Sequence, residues 1–175
     1  MKINFIDLHK QYLGLKRQID SAISRVITSS AFIGGKDVEL FEREFAAYCE
    51  AKHCIAVNSG TDALRAICHV LRIGPGDEVI VPANTFIATA LAVSSIGARP
   101  VFVDCRESDL NIDPTKIEKE ITRRTKAIIP VHMFGQSADM SSIRSIAKKR
   151  GLFLIEDACQ AHGATFKGTR VGSFG

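Results

Sequence analysis

Leu152-Phe153-Leu154-Ile155-Glu156-Asp157-Ala158-Cys159-Gln160-Ala161-His162-Gly163 decides the fold, because an apolar run ends there in two adjacent carboxylates. A short, continuous hydrophobic segment such as 152–155 is what a buried parallel strand requires. Glu156 and Asp157 fall where that strand emerges, at the edge of an α/β sheet where ligands bind. A carboxylate fixed at such an edge can hold a proton on a heterocyclic nitrogen. Strands ending in Asp are common in α/β proteins. The segment therefore takes its weight from three other loops expected on the same edge.

Working outward from this segment, short apolar strands alternate with amphipathic helices. Strands are expected over residues 54–57, 78–81, 100–104, 127–131 and 152–155. Helical spacing of apolar residues covers 10–27 and 38–49, then 61–71, 87–95, 115–120 and 140–149. Gly74-Pro75-Gly76-Asp77 and Gly97-Ala98 are turns that stop helices and admit strands. The alternation predicts an α/β fold with a mainly parallel sheet flanked by helices. Residues 163–175 read as a hairpin-like segment with no helix or closing strand after it, and the chain looks cut there.

At 175 residues and 46% hydrophobic content the chain can bury one substantial core. The formal charge of +4 is modest and scattered. Lys148-Lys149-Arg150, the densest basic run, ends a helix, where cations favour the dipole. No aromatic residues interleave with it, so a nucleic-acid surface is not expected. The five cysteines lack the paired spacing of a disulfide framework. Cys49, Cys54, Cys68 and Cys105 read as small hydrophobes, and reduced thiols suit a cytoplasmic protein. Neither a secretory leader nor a membrane-spanning stretch is expected.

In a parallel sheet the loops that follow strands open on one side. The first such loop is Asn58-Ser59-Gly60-Thr61-Asp62. Gly60 permits close backbone approach, free amides at the helix start favour an anion, and the Ser59 and Thr61 hydroxyls add donors. A plain helix cap by Ser59 or Thr61 explains the same residues. No Gly-Lys-Ser/Thr follows, and Gly74 and Gly76 lack the third glycine of a dinucleotide fingerprint. In the second loop, Pro82 to Phe86, the Phe86 ring can stack on a flat heterocycle or pack into the core at a helix start. His132 of the third loop is either a proton-transfer group or a hydrogen-bonded structural histidine. Asp157 to Gln160 form the fourth. Cys49, His53, Cys54, Cys68 and His69 cluster in sequence but lack zinc-ligand spacing, and no metal is expected.

A set of motifs then occurs in order along nearly the whole chain. They are Phe5-Ile6-Asp7-Leu8, Phe32-Ile33-x-Gly35, Val38-x-x-Phe41-Glu42, Ser59-Gly60-Thr61-x-Ala63-Leu64 and Gly74-x-Gly76-Asp77-Glu78-Val79-Ile80. Thr85-Phe86-x-Ala88-Thr89, Pro130-Val131-His132-x-x-Gly135-Gln136 and Glu156-Asp157-Ala158-x-Gln160 complete it. Together they resemble the DegT/DnrJ/EryC1/StrS aminotransferases, fold-type-I enzymes that use pyridoxal 5'-phosphate on nucleotide-linked keto sugars.

The resemblance implies that Ser59, Gly60 and Thr61 bind the cofactor phosphate and that Phe86 stacks on the pyridine ring. It makes Asp157, rather than Glu156, the partner of the ring nitrogen, and sets Gln160 against the ring hydroxyl. Ile33, Gly34 and Gly35 would lie on the sugar-binding side, glutamate would donate the amino group, and the protein would be a homodimer. Residues 1–35 would form an amino-terminal helical segment with the substrate loop, and residues 36–175 part of the cofactor-binding large domain. In the family the Schiff-base lysine follows a Ser-Phe element that comes after the turn containing Ser173-Phe174, and a smaller carboxy-terminal domain follows. Both are expected outside these 175 residues. Lys167 reads as a solvated turn residue rather than that lysine. The alternatives are a sugar dehydratase of the same family, with histidine in place of the lysine, and a non-catalytic cofactor-binding protein.

Overall fold

A computed structural model of the protein describes residues 6–175. Phe5 of the first motif lies outside the described residues. The chain forms two compact units, one ending at Phe41 and the other running from Glu42 to Gly175.

In the first unit, α1 (Leu8–Thr28) starts at Asp7, whose carboxylate accepts the Lys10 amide. No side chain of α1 is buried, and Leu13, Ile23 and Ile27 are exposed. Gly34 and Gly35 both adopt positive φ, a conformation open to glycine. They break the chain before α2 (Lys36–Tyr48).

The second unit holds the sheet. Four parallel strands lie in the order β2 (Arg99–Val103), β1 (Glu78–Pro82), β3 (Thr125–Ile128) and β4 (Phe153–Leu154). The central strand β1 is buried at every residue. Side chains alternate across a strand, so Val79 and Val81 enter one core and Ile80 the other. The first core gathers Leu64 and Cys68 of α3 (Gly60–Val70) with Ala92 and Val93 of α4 (Ile87–Ser94). The second gathers Ile117 of α5 (Pro114–Glu120) with Met140, Ile143 and Ala147 of α6 (Met140–Arg150). Two helices thus cover each face, which is why all four strands are parallel.

At the edge opposite the loops discussed below, the buried Glu78 carboxylate accepts Thr122 Oγ1 and two guanidinium nitrogens of Arg124. This pins the start of β1 to the turn before β3. The tail forms the expected hairpin, β5 (Thr165–Phe166) against β6 (Thr169–Arg170). Lys167 and Gly168 both take positive φ at its turn, the type I′ geometry that matches strand twist. Lys167 Nζ bonds Ser141 Oγ at 3.0 Å and lies over the Phe166 ring, as a turn lysine should.

Two expectations need correction. Residues 54–57 form no strand. Among the described residues no strand lies alongside them, and Ile55 is 81% exposed. The Ala56 amide is satisfied instead by the Glu42 carboxylate at 2.7 Å. Of the four cysteines read as packed hydrophobes only Cys68 is buried, while Cys49, Cys54 and Cys105 are half-buried. Apolar composition marks which residues can be buried, but a strand also needs a neighbour to satisfy its amides.

Truncating Ile80, which is fully buried between β1 and the α5–α6 layer, tests this arrangement. Ile80→Ala is expected to lower unfolding free energy by about 2–5 kcal/mol in urea titrations. Ile67→Ala, on the exposed side of α3, is expected to cost far less. Equal losses would place the core elsewhere.

Candidate active site

The loops after β1, β3 and β4 open at one end of the sheet, where the start of α3 joins them. The segments after β1 and β4, with the start of α3, line a cavity of about 230 Å³ through Gly60, Thr61, Phe86, Thr89, Asp157 and Gln160 among others. Five of the sequence-expected residues are thereby brought together from positions up to 100 residues apart.

Asp157 sits just past β4, where the chain still pairs with the extension of β3. Its amide donates to Pro130 O at 3.0 Å, and its carbonyl accepts the His132 amide at 3.1 Å. This parallel bridge fixes the backbone, so side-chain alternation decides which neighbour faces the cavity. Asp157 is 8% exposed and lines it. Glu156 points the other way, as expected. Its carboxylate accepts the amides of Gly172 at 2.8 Å, Phe174 at 2.6 Å and Gly175 at 2.9 Å. Burial pushes the Glu156 carboxyl up, but the bonds from His132 and from the Gly172 and Phe174 amides outweigh it, and the group lies below its ordinary range.

His132 is fully buried, and its geometry settles its role. Nδ1 accepts the Ala138 amide at 3.1 Å, which puts the ring proton on Nε2, and Nε2 donates to Glu156 Oε2 at 3.0 Å. Both nitrogens are engaged away from the cavity, so His132 belongs to the scaffold.

At the start of α3, Ser59 acts as the helix cap. Its hydroxyl oxygen accepts the Asp62 amide at 3.2 Å, and Ser59 is not among the cavity-lining residues. The Gly60 and Thr61 amides have no acceptor inside the helix. They are left for an anion at the positive end of the dipole. Gly60 has a steric reason as well, because a Cβ there would lie 2.6 Å from Cys159 Sγ. Phe86, at the N-cap of α4, is 68% exposed and lines the cavity. The packed-core reading of this ring therefore fails, and a flat, apolar face is left open to a ligand.

Gln160 Oε1 accepts the Phe134 amide at 3.0 Å. A backbone N–H must meet the oxygen, so this bond orients the amide and leaves its NH₂ free to donate. The loop that presents Phe134 is held by Asn111, which is fully buried. Asn111 Oδ1 accepts the Met133 amide, and Nδ2 donates to Gln136 O and Ser137 O. Ile33 is 97% exposed in the first unit, beside Gly34 and Gly35.

Sequence reasoning missed Thr89, Cys159 and Asn111. Thr89 Oγ1 donates to Asp157 Oδ2 at 2.8 Å, and the Cys159 amide donates to Asp157 Oδ1 at 3.2 Å. Thr89 closes one of the quoted motifs, which is the signal that could have found it. Burial and the Asp157 charge beside it push the Cys159 thiol up to about 11. Among the described residues no three His, Cys, Asp or Glu side chains converge as a metal site requires. Nor is any helix there long and apolar enough to cross a membrane.

The site can thus offer a carboxylate at one end, paired amides for an anion, an aromatic face and an oriented amide donor. Two measurements follow from its electrostatics. Alkylation of Cys159 by iodoacetamide should rise with pH through about 11 rather than at the ordinary thiol value, read by mass spectrometry of the labelled peptide. A midpoint near 9 would remove the burial and Asp157 charge effects. Because the folded Glu156 carboxyl lies low, its stabilising contribution is complete above the unfolded value of about 4.3 and is lost as pH falls through the folded one. Urea midpoints should fall across that acidic window, and Glu156→Gln should lower stability at pH 7 and flatten the fall. An unchanged slope would remove Glu156 from the acid response.

The pattern of the DegT/DnrJ/EryC1/StrS aminotransferase family matches residues 14–175. The chain is 49% identical over 172 residues to a dTDP-3-amino-3,4,6-trideoxy-alpha-D-glucose transaminase of Streptomyces venezuelae, covering 98% of this chain and 45% of that protein. It is 53% identical over 173 residues to a dTDP-3-amino-3,6-dideoxy-alpha-D-galactopyranose transaminase of Aneurinibacillus thermoaerophilus, covering 99% of this chain and 48% of that one. The chain spans about half the length of these curated relatives. Among solved structures, Streptomyces venezuelae DesV in complex with a ketimine intermediate superposes with a TM-score of 0.96 at 49% identity, over 98% of this chain and 46% of that one. NtdA of Bacillus subtilis with bound cofactor PMP superposes with a TM-score of 0.91 at 40% identity, over 95% and 39%. With the pattern running through most of its length and relatives near half identity, the chain belongs to the DegT/DnrJ/EryC1/StrS aminotransferase family.

Proposed function

We propose that this chain forms the pyridoxal 5'-phosphate site of an enzyme that transaminates a nucleotide-linked keto sugar, with glutamate as amino donor. The observation that carries the reading is the Asp157 carboxylate, buried at the sheet edge and facing a cavity that also holds the exposed Phe86 ring and the first amides of α3. When bound, the cofactor supplies an electron sink for charge released at the carbon that carries the amino group.

The chain's residues fit that group in size and in chemistry. Asp157 would hold the proton on the ring nitrogen, which its backbone bridge and the donors of Thr89 and Cys159 equip it to do. Phe86 would cover one ring face and exclude water from it. Gly60 and Thr61 would receive the phosphate on their amides, while Ser59 keeps the helix start in place. The oriented Gln160 amide would donate to the ring hydroxyl. Glu156 and His132 would support the site from behind without touching the reacting atoms.

The sugar reading is supported by relatives named as dTDP-amino-sugar transaminases. Ile33, Gly34 and Gly35 would contact the sugar, for which their exposed, glycine-rich loop is suited. The exposed apolar residues of α1 support a homodimer, and the unpaired cysteines support a cytoplasmic setting.

Absorbance spectroscopy of a full-length version, which carries the expected Schiff-base lysine, reconstituted with pyridoxal 5'-phosphate tests the reading. Glutamate should convert the bound aldehyde form to the amine form, and a dTDP-linked keto sugar should convert it back. Asp157→Asn should slow both conversions by about a hundred-fold or more while phosphate-dependent binding persists. Glu156→Gln should do much less to the rate. No spectral change with glutamate, or equal loss from both substitutions, would sink the proposal.

A further inference from the structure

We infer that Thr89 is the positioning residue for Asp157: its buried hydroxyl fixes the carboxylate rotamer and sets the distance between that carboxylate and the Phe86 ring. The inference rests on the cofactor site proposed above and adds a residue to it. Thr89 is 1% exposed in the first turn of α4, and its Oγ1 donates to Asp157 Oδ2 across 68 residues of sequence. A hydroxyl has one proton, and the carboxylate can only accept. The 2.9 Å contact between Thr85 and Thr89 must therefore run with Thr85 as donor. The result is a directed chain from Thr85 to Thr89 to Asp157.

This bond has a place in the site that an ordinary satisfied hydroxyl lacks. It ties the loop that carries Asp157 to the helix whose N-cap is Phe86, and the Thr89 amide returns to Phe86 O at 3.2 Å. The aromatic platform and the carboxylate thus share one short connection through Thr89. With Oδ2 engaged by Thr89 and Oδ1 by the Cys159 amide, the carboxylate plane is held at two points. The Cys159 thiol takes one further acceptor site, and a carboxylate has about four, so capacity remains for a proton-bearing ring nitrogen. Bonds to an ionised acceptor are the strong ones, so this donor holds its position more firmly than a neutral pair would.

Thr89→Val keeps the shape and removes the donor, and Thr89→Ser keeps the donor and removes the methyl group. In titrations with pyridoxal 5'-phosphate, the valine variant should bind about ten-fold more weakly or worse, and the pH midpoint of the bound cofactor's absorbance change should move. The serine variant should restore both to within about three-fold. The valine variant leaves Asp157 Oδ2 without this donor and should unfold at a lower urea concentration than the serine variant. Wild-type affinity and an unmoved pH profile in the valine variant would overturn the proposal, as would equal weakening in both variants. A crystal structure of the valine variant without added cofactor supplies an arm independent of binding. A displaced Asp157 side chain supports the role, and a retained rotamer overturns it. Failure of the wild-type protein to bind the cofactor would sink the parent reading alone, because that structural arm still decides what Thr89 does.

Discussion

The structure depends on a parallel bridge between Val131 and Asp157 at the end of the sheet. It carries β3 and β4 past their last regular pairing and brings two adjacent carboxylates to the edge with fixed backbones. Because neighbouring side chains on an extended segment point to opposite faces, the pair is divided between two jobs. Glu156 faces inward to His132 and the amides of Gly172, Phe174 and Gly175, and Asp157 faces the cavity. A slip of one residue in this pairing would exchange them.

The two carboxylates also differ in what balances them. Glu156 is surrounded by donors from its own chain, which offset the cost of burying its charge. Asp157 accepts from the Thr89 hydroxyl, the Cys159 amide and the Cys159 thiol, and it lines the cavity. A buried acceptor with capacity left over is suited to a ligand that brings its own N–H. The same division recurs at Gln160, whose oxygen is used internally and whose NH₂ is left to the cavity.

Beyond the cavity, the scaffold is arranged to hold these groups still. Asn111 and His132 are fully buried and spend their polar atoms on the backbone of residues 133–138 and on Glu156. At the far end of the sheet the buried Glu78 carboxylate accepts from the Thr122 hydroxyl and the Arg124 guanidinium. Each satisfied buried polar group makes an alternative loop arrangement expensive, since leaving any partner unpaired costs desolvation that nothing returns. Rigid loops of this kind are what a binding constellation built from distant segments requires.

Much of this was legible in the chain before any coordinates. Continuous apolar runs alternating with helical spacing specify a parallel sheet wrapped by helices, because that layering buries both faces of a central strand such as β1. Residues 54–57 show the limit of such reading, since their apolar character is real but, among the described residues, no strand runs beside them. The carboxylate at 157, the aromatic at 86 and the glycine at 60 were recognisable by type and spacing. Tertiary structure decided what each one faces: Phe86 is open rather than packed, Ser59 is a cap outside the cavity lining, and His132 is committed to Glu156. It also showed what Thr89 does, since its bond to Asp157 depends on how α4 seats against the loop after β4. Periodicity records which side chains avoid water, and that is local information. A hydrogen bond between residues 68 apart is set by the register and packing of whole elements, which no local pattern records.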